Sequence, residues 1–272
     1  MRDPRYISSR DNPVVKALRV LADDPRRQGQ ALIDGIHLVA MALARGVSVA
    51  RLLVSEGGQQ NAEIVALQRR AAGVDCVILR DGLFREISGV STPTGIAAVI
   101  DIPLVPEGPI PGDAVLLDAV QDAGNVGAIL RTAAAAGVRD VLLGPGCAGA
   151  WTPRVLRAGQ GAHFSLAIRE QVDLTASLAF CCGTSIATVA RGAASLYEFD
   201  LTGPIVWLVG NEGAGLSAEL IAAASACATI PLARGSESLN VAAATAVCLF
   251  EASRQRFINK PAQGGPESNL KR

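Results

Sequence analysis

The sequence predicts an α/β protein built as two successive units, each a sheet covered by helices. Three observations carry this expectation. Apolar stretches of strand length alternate with stretches of helical periodicity along most of the chain, the pattern of a mostly parallel sheet with helices on its faces. Half of the residues are hydrophobic but only 4% are aromatic, so the core has to be built from Ala, Val, Leu and Ile, which suits buried strands. The alternation breaks at residues 103–111, where four prolines fall in nine positions. Proline fixes its own φ and lacks a backbone donor, so this stretch is neither helix nor interior strand and reads as a linker.

In the first unit, Asn12 and Pro13 make a helix opening, an N-cap followed by proline at the first helical position, and Val14, Leu18 and Leu21 then share one face. A strand is expected at 31–33, a helix at 36–45 closed by Gly46, a strand at 49–54, a helix at 62–72 ending at Gly73, and strands at 76–79 and 95–100. In the second unit, strands are expected at 115–117, 141–143, 186–189, 205–209 and 228–231, with helices between them and a long helix over 239–256. The residues from Pro261 onward are polar and rich in Gly and Pro, as in a disordered tail. The expected divisions are therefore a first unit at 1–101, a linker at 102–112, a second unit at 113–258 and a tail at 259–272.

Composition narrows the function classes. No run of about 18 apolar residues exists, so a membrane span is not expected. The opening residues carry no apolar signal segment, which predicts a cytoplasmic protein. The six cysteines include adjacent Cys181 and Cys182 but no Cys-x-x-Cys pair, and only His37 and His163 accompany them, so no metal site is expected. Net charge is zero. The first thirty residues hold seven basic groups against four acidic ones, which is either a phosphate-contacting patch or an ordinary solvated face.

Three segments of the second unit combine small residues with a few polar ones. In the first, a strand at 115–117 leads through a turn to a helix expected to begin near Asn125. Gly127 lies four residues before Arg131 on the same helical face, so the guanidinium would extend over bare backbone there and could receive a phosphate or a hydroxyl. The alternative is a surface arginine beside a small-residue packing face. The second segment follows the most apolar strand and places Gly210, Gly213 and Gly215 within six positions, which permits a sharp turn. It lacks the Gly-Lys-Ser/Thr ending of a nucleotide loop, and Glu212 would repel a phosphate while suiting a sulfonium cation and ribose hydroxyls. A tight turn closed by a glutamate–amide bond is the other reading. In the third, Ile230, Pro231 and Leu232 end a strand, and Ser238, Leu239 and Asn240 open a helix full of alanine. Ser238 can cap that helix and Asn240 can both donate and accept; capping with tight helix packing would also explain the pattern.

Together, in this order, these segments resemble the three motifs of the SpoU/TrmH family of RNA ribose methyltransferases, in the SPOUT superfamily, over roughly residues 114–256. The resemblance implies a trefoil-knotted, parallel-sheet methyltransferase domain, S-adenosyl-L-methionine as cofactor, an RNA substrate (ribosomal rather than transfer) and a homodimer. Carried over residue by residue, it implies catalytic roles for Asn125, Arg131, Glu212, Ser238 and Asn240, with Arg131 acting across the subunit interface. It places the cofactor at Gly210, Ile230 and Leu239, with Leu232 and Thr188 as neighbours. Residues 1–101 are similar to the family's accessory RNA-binding domain, itself like certain small ribosomal proteins, by element order and by the opening Ser8-Ser9-Arg10-Asp11-Asn12-Pro13. The chain departs from the family pattern at Ala123 and Ala167, where proline is common, and at a glycine within 157–164 where serine is usual. The implied reaction is methylation of a ribose 2′-hydroxyl. Two other classes stay open: a non-catalytic RNA-binding or ribosome-assembly factor on the same fold, which the intact polar residues oppose, and a base methyltransferase, which the Ser-Leu-Asn third motif opposes.

Overall fold

A computed structural model describes residues 4–258 and arranges their strands in two sheets. The first contains β1 (Arg5–Ile7), β2 (Gln30–Asp34), β3 (Val49–Ser55), β4 (Asp75–Leu79) and β5 (Ile96–Asp101), in the order β1-β4-β3-β5-β2. Here β1, β4 and β3 run parallel, while β5 is antiparallel to both of its neighbours. Around it lie α1 (Pro13–Asp23), α2 (Pro25–Gln28), α3 (Ile36–Ala44), α4 (Ala62–Arg70) and α5 (Asp81–Ser88). The Asn12 side chain accepts from the Val14 N–H at 2.9 Å, and Val15, Leu18 and Leu21 are the residues of α1 that become buried. The expected elements of this unit are present; β1, α2 and α5 were not expected.

The second sheet contains β6 (Ala114–Leu117), β7 (Asp140–Leu143), β8 (Ala167–Glu170), β9 (Thr184–Thr188), β10 (Ala194–Ser195), β11 (Ile205–Val209) and β12 (Ala226–Thr229). Its order is β10-β12-β9-β11-β6-β7-β8, and every pairing is parallel. Helices α6 (Ala123–Ala135), α7 (Pro153–Gly159), α8 (Leu174–Leu178), α9 (Ala218–Ala223) and α10 (Val241–Ile258) complete the unit. Strands β8 and β10 were not expected. The last strand ends at Thr229, so Ile230 and Pro231 lie in the following loop rather than in the sheet. Helix α10 starts at Val241, and the side chain of Asn240, not that of Ser238, accepts from the Ala242 and Ala243 N–H groups at 2.9 and 3.2 Å. Because all strands are parallel, the connections leaving β6, β9, β11 and β12 gather at one edge of the sheet, where ligands bind in such folds.

The apolar core is continuous across both sheets, joining Ile33, Leu38 and Ala42 to Trp151, Val155 and Leu156. Two polar contacts cross the same seam: Arg45 Nη1 donates to Ser165 Oγ at 3.0 Å, and Arg157 Nη2 donates to the Ser88 carbonyl at 3.2 Å. The proline-rich stretch is fastened at both ends. Ile102 N–H donates to Gly29 at 2.9 Å, and Ile110, 2% exposed, exchanges hydrogen bonds with Phe180 and Cys182 at 2.7 and 3.0 Å. The tail expected at 259–272 lies outside the described residues.

Helix α7 occupies the ground that was expected for Arg131. A side chain at Gly127 would overlap Ala158 Cβ and lie 2.8 Å from the Val155 carbonyl oxygen, so the bare backbone serves helix–helix approach. Arg131 is exposed on α6, and the atoms nearest to a side chain at Gly127 all belong to α7.

Candidate active site

Strand β11 ends at Val209, and the loop that begins with Gly210 closes on itself. Asn211 and Gly215 exchange two backbone hydrogen bonds of 3.0 Å, and Asn211 Oδ1 accepts from the Gly213 and Ala214 N–H groups at 2.9 Å each. The other end of that side chain, Nδ2, donates to the Ala119 carbonyl at 2.8 Å and supports a non-glycine residue with φ of 52°. Gly210 cannot carry a side chain, since a Cβ there would lie 2.5 Å from the Gly215 oxygen. The loop amides are thus spent within the loop, which removes the donors a phosphate cradle would need.

Glu212 reaches out of this loop to the start of α6. Its Oε1 accepts from Asn125 Nδ2 at 2.8 Å, and Asn125 Oδ1 accepts from Asn240 Nδ2 at 2.9 Å. The direction of this relay is determined at both ends. A carboxylate only accepts and the α10 amides only donate, so each asparagine amide has one satisfied orientation. Desolvation pushes the Glu212 carboxyl up, but the Asn125 amide and the backbone N–H groups of Glu212, Gln121 and Asp122 outweigh it and hold it below its ordinary value. Glu212 is therefore an anion at neutral pH.

Beside this relay lies a cavity of about 700 Å³, lined by Thr188, Gly210, Glu212, Ile230, Leu232, Ser238, Leu239 and Asn240. Asn125 joins it through its two hydrogen bonds. Arg131 does not line it. The Thr188 hydroxyl is used on the Leu208 carbonyl at 2.8 Å. The volume is that of a nucleoside-sized site. Apolar walls from Val209, Ile230 and Leu232 suit a flat aromatic group, and the Glu212 carboxylate suits a cation. This donor set fits S-adenosyl-L-methionine.

Sequence reasoning missed Asn211, Asp118 and Arg191. Asn211 two residues before a glycine is an Asx-turn signal. Asp118 directly follows β6, and its Oδ2 accepts from the Ser217 N–H at 2.8 Å. Arg191 lines the cavity from the loop after β9, where no local pattern marks it. Near the N-terminus, Arg5, Arg10, Lys16 and Arg19 are paired with Asp75, Glu86, Asp11 and Glu86, so most of that basic excess is already neutralised. Among the described residues no group of three or more side chains could hold a metal ion, and no helix is long and apolar enough to cross a membrane.

Known proteins share both units. Residues 113–250 match the SpoU rRNA Methylase family, and residues 12–98 match an MRM3-like substrate binding domain. An uncharacterized tRNA/rRNA methyltransferase of Synechocystis sp. is 34% identical, over 94% of this chain and 96% of its own. The 23S rRNA (guanosine(2553)-2′-O)-methyltransferase RlmP of Bacillus subtilis is 32% identical, over 90% and 98%. The crystal structure of an AdoMet-bound rRNA methyltransferase from Sinorhizobium meliloti superimposes with a TM-score of 0.80 at 29% identity, covering 92% of this chain and 97% of that one. The likeness therefore extends from the cavity-forming loops to nearly the whole chain, which belongs to the SpoU rRNA methylase family.

Proposed function

We propose that this protein transfers the methyl group of S-adenosyl-L-methionine to a ribose 2′-hydroxyl of ribosomal RNA. The observation that carries the reading is the Asn240–Asn125–Glu212 relay, which ties the three polar segments into one wall of a nucleoside-sized cavity. The cofactor supplies a methyl carbon already activated by its sulfonium. What the protein has to add is alignment and management of the hydroxyl proton.

Thr188, Gly210, Ile230, Leu232 and Leu239 hold the cofactor, and the ionised Glu212 faces its positive charge. Asn125, Ser238 and Asn240 fix the target ribose. Arg131 polarises the hydroxyl or binds the adjacent phosphate; a guanidinium keeps its proton, so it does not act as a literal base. Its exposure on α6, away from the cavity of its own chain, supports a role in the site of a second copy. Helix α10, which packs on α6, also exposes Phe250 and Phe257, 50% and 81% accessible, as an apolar face for that copy. The protein accordingly works as a homodimer, with residues 1–101 presenting RNA to a knotted catalytic domain at 113–258, and it works in the cytoplasm.

The test is transfer of labelled methyl to unmodified ribosomal and transfer RNA pools, followed by digestion to nucleosides. Label in a 2′-O-methylnucleoside from ribosomal RNA is the expected result. Label on a base would overturn the chemistry, and label in transfer RNA alone would overturn the substrate.

A further inference from the structure

A second cavity, of about 410 Å³, is lined by Gln121, Asp122, Ala123 and Gly124 at the start of α6 and by Arg154 and Arg157 of α7. It adjoins the first cavity, because Asp122 caps the helix whose Asn125 holds Glu212. Among the described residues neither arginine has a carboxylate within ion-pair distance. One acidic group lines the cavity, Asp122, whose Oδ1 caps α6 by accepting from the Asn125 N–H at 2.8 Å, so the two arginines outnumber it. Arg154 and Arg157 are three residues apart on one helix, so both guanidinium groups serve the same opening.

Arg157 is not free to swing. Its Nη2 donates to the carbonyl of Ser88, the last residue of α5 in the first unit. Beside it, Asp34 Oδ2 accepts from the Ser88 hydroxyl at 3.0 Å, and Asp34 Oδ1 is buried with no hydrogen-bond partner. Burial raises the Asp34 carboxyl above its ordinary value, opposed by the Ser88 hydroxyl and by the charge of Arg157. Asp34 of the first unit and Arg157 of the second thus meet on one residue, Ser88.

We propose that Arg154 and Arg157 form a seat for a phosphate of the substrate RNA, behind the active-site turn, and that Asp34 is the positioning residue that holds Arg157 in it. The proposal rests on the reading of the chain as an RNA methyltransferase. Two permanently charged forked donors in an open cleft match a backbone phosphate. Ser88, bonded by both Asp34 and Arg157, keeps the Arg157 fork aimed, while Arg154 is exposed.

The experiment is filter binding of transcribed 23S rRNA across a salt series, with S-adenosyl-L-methionine binding and methyl transfer measured in parallel. Arg154→Ala and Arg157→Ala should each weaken RNA binding roughly tenfold and lower the salt slope by about 1, with cofactor affinity unchanged. Asp34→Asn should weaken RNA binding a few-fold, and that loss should vanish when Arg157→Ala is already present. A merely structural Asp34 would cost the same in both backgrounds, which overturns the positioning role. RNA affinity and salt slope equal to wild type in Arg154→Ala, an exposed position where folding is not at stake, would overturn the seat. If the wild type binds RNA but transfers no methyl, the functional reading fails while the seat is still decided by the binding data. If the wild type does not bind RNA, both fall.

Discussion

The two units differ in what they do with their polar groups. In the first, a mixed five-stranded sheet, Asp75 takes both Arg5 and Arg51 and Glu86 takes both Arg10 and Arg19, while Arg26, Arg27, Arg69, Arg70, Arg80 and Arg85 stand exposed without an ion pair among the described residues, spread on and beside α2, α4 and α5. In the second, the ion pairs Arg169–Asp140, Arg254–Glu251 and Arg256–Asp113 lie away from the cavity, and Arg131, Arg154 and Arg191 are left without acidic partners among the described residues. The difference follows from topology. A parallel sheet sends its strand ends to one edge, so the loops there can be shaped around a ligand, while a mixed sheet distributes its turns to both edges. The first unit meets the second at the seam, where Ser88 bonds both Asp34 and Arg157.

The contrast can be broken most forcefully at Arg131. Replacing this free guanidinium with alanine should lower kcat by roughly a hundredfold or more while cofactor affinity stays nearly intact; a matching loss of cofactor binding would show that Arg131 belongs to its own chain's cavity. Next is the pH response of His163, buried in the second unit with Nε2 on the Ala150 carbonyl, where burial lowers its pKa to about 4. The unfolded chain protonates this group at about 6.5, so stability is full above that pH and should fall by about 3 kcal/mol as pH drops to about 4. Urea melts at several pH values should show this slope disappearing in His163→Gln. Two glycines then set the units side by side. Gly127→Ala forces α6 and α7 apart and should cost about 1–3 kcal/mol. Gly82→Ala, in α5 with open space around it, should stabilise by about 0.5–1 kcal/mol. Opposite signs are the expected outcome of denaturant titration; the same sign would erase the contrast. The smallest effect separates two neighbours. Asn240→Ala should lose a cap worth about 1 kcal/mol, whereas Ser238→Ala should stay within about 0.5 kcal/mol of wild type.

What could be read from the sequence was what is locally encoded. Strands β3 and β11 are apolar runs and were legible, as was the cap at Asn12. Strands β1, β8 and β10 were not, because Arg-Tyr-Ile, Ala-Ile-Arg-Glu and Ala-Ser become strands by pairing at the sheet margins rather than by pattern. Helix α5 was missed because eight residues with a glycine at the second give little periodicity, although Leu83, Phe84 and Ile87 are buried. Ile230 and Pro231 resemble strand because they are apolar, but Ile230 lines the cavity instead. The polar residues of the site were legible as three segments. Their union was not, because the relay joins positions 87 and 115 residues apart. Arg131 was misplaced for the same reason: the helix that covers Gly127 lies about thirty residues further on, and nothing local announces it.

The relay also has a consequence in time. Chains are synthesised from the N-terminus and fold unit by unit, so the first sheet and all seven strands of the second can be in place before Asn240 has been translated. Until then Asn125 and Glu212 have each other but no link to the final helix, and the wall facing the nucleoside lacks one of its members. The wall is therefore closed by one of the last segments to be made, and a chain that stops short of Asn240 has every strand of both sheets but an open relay.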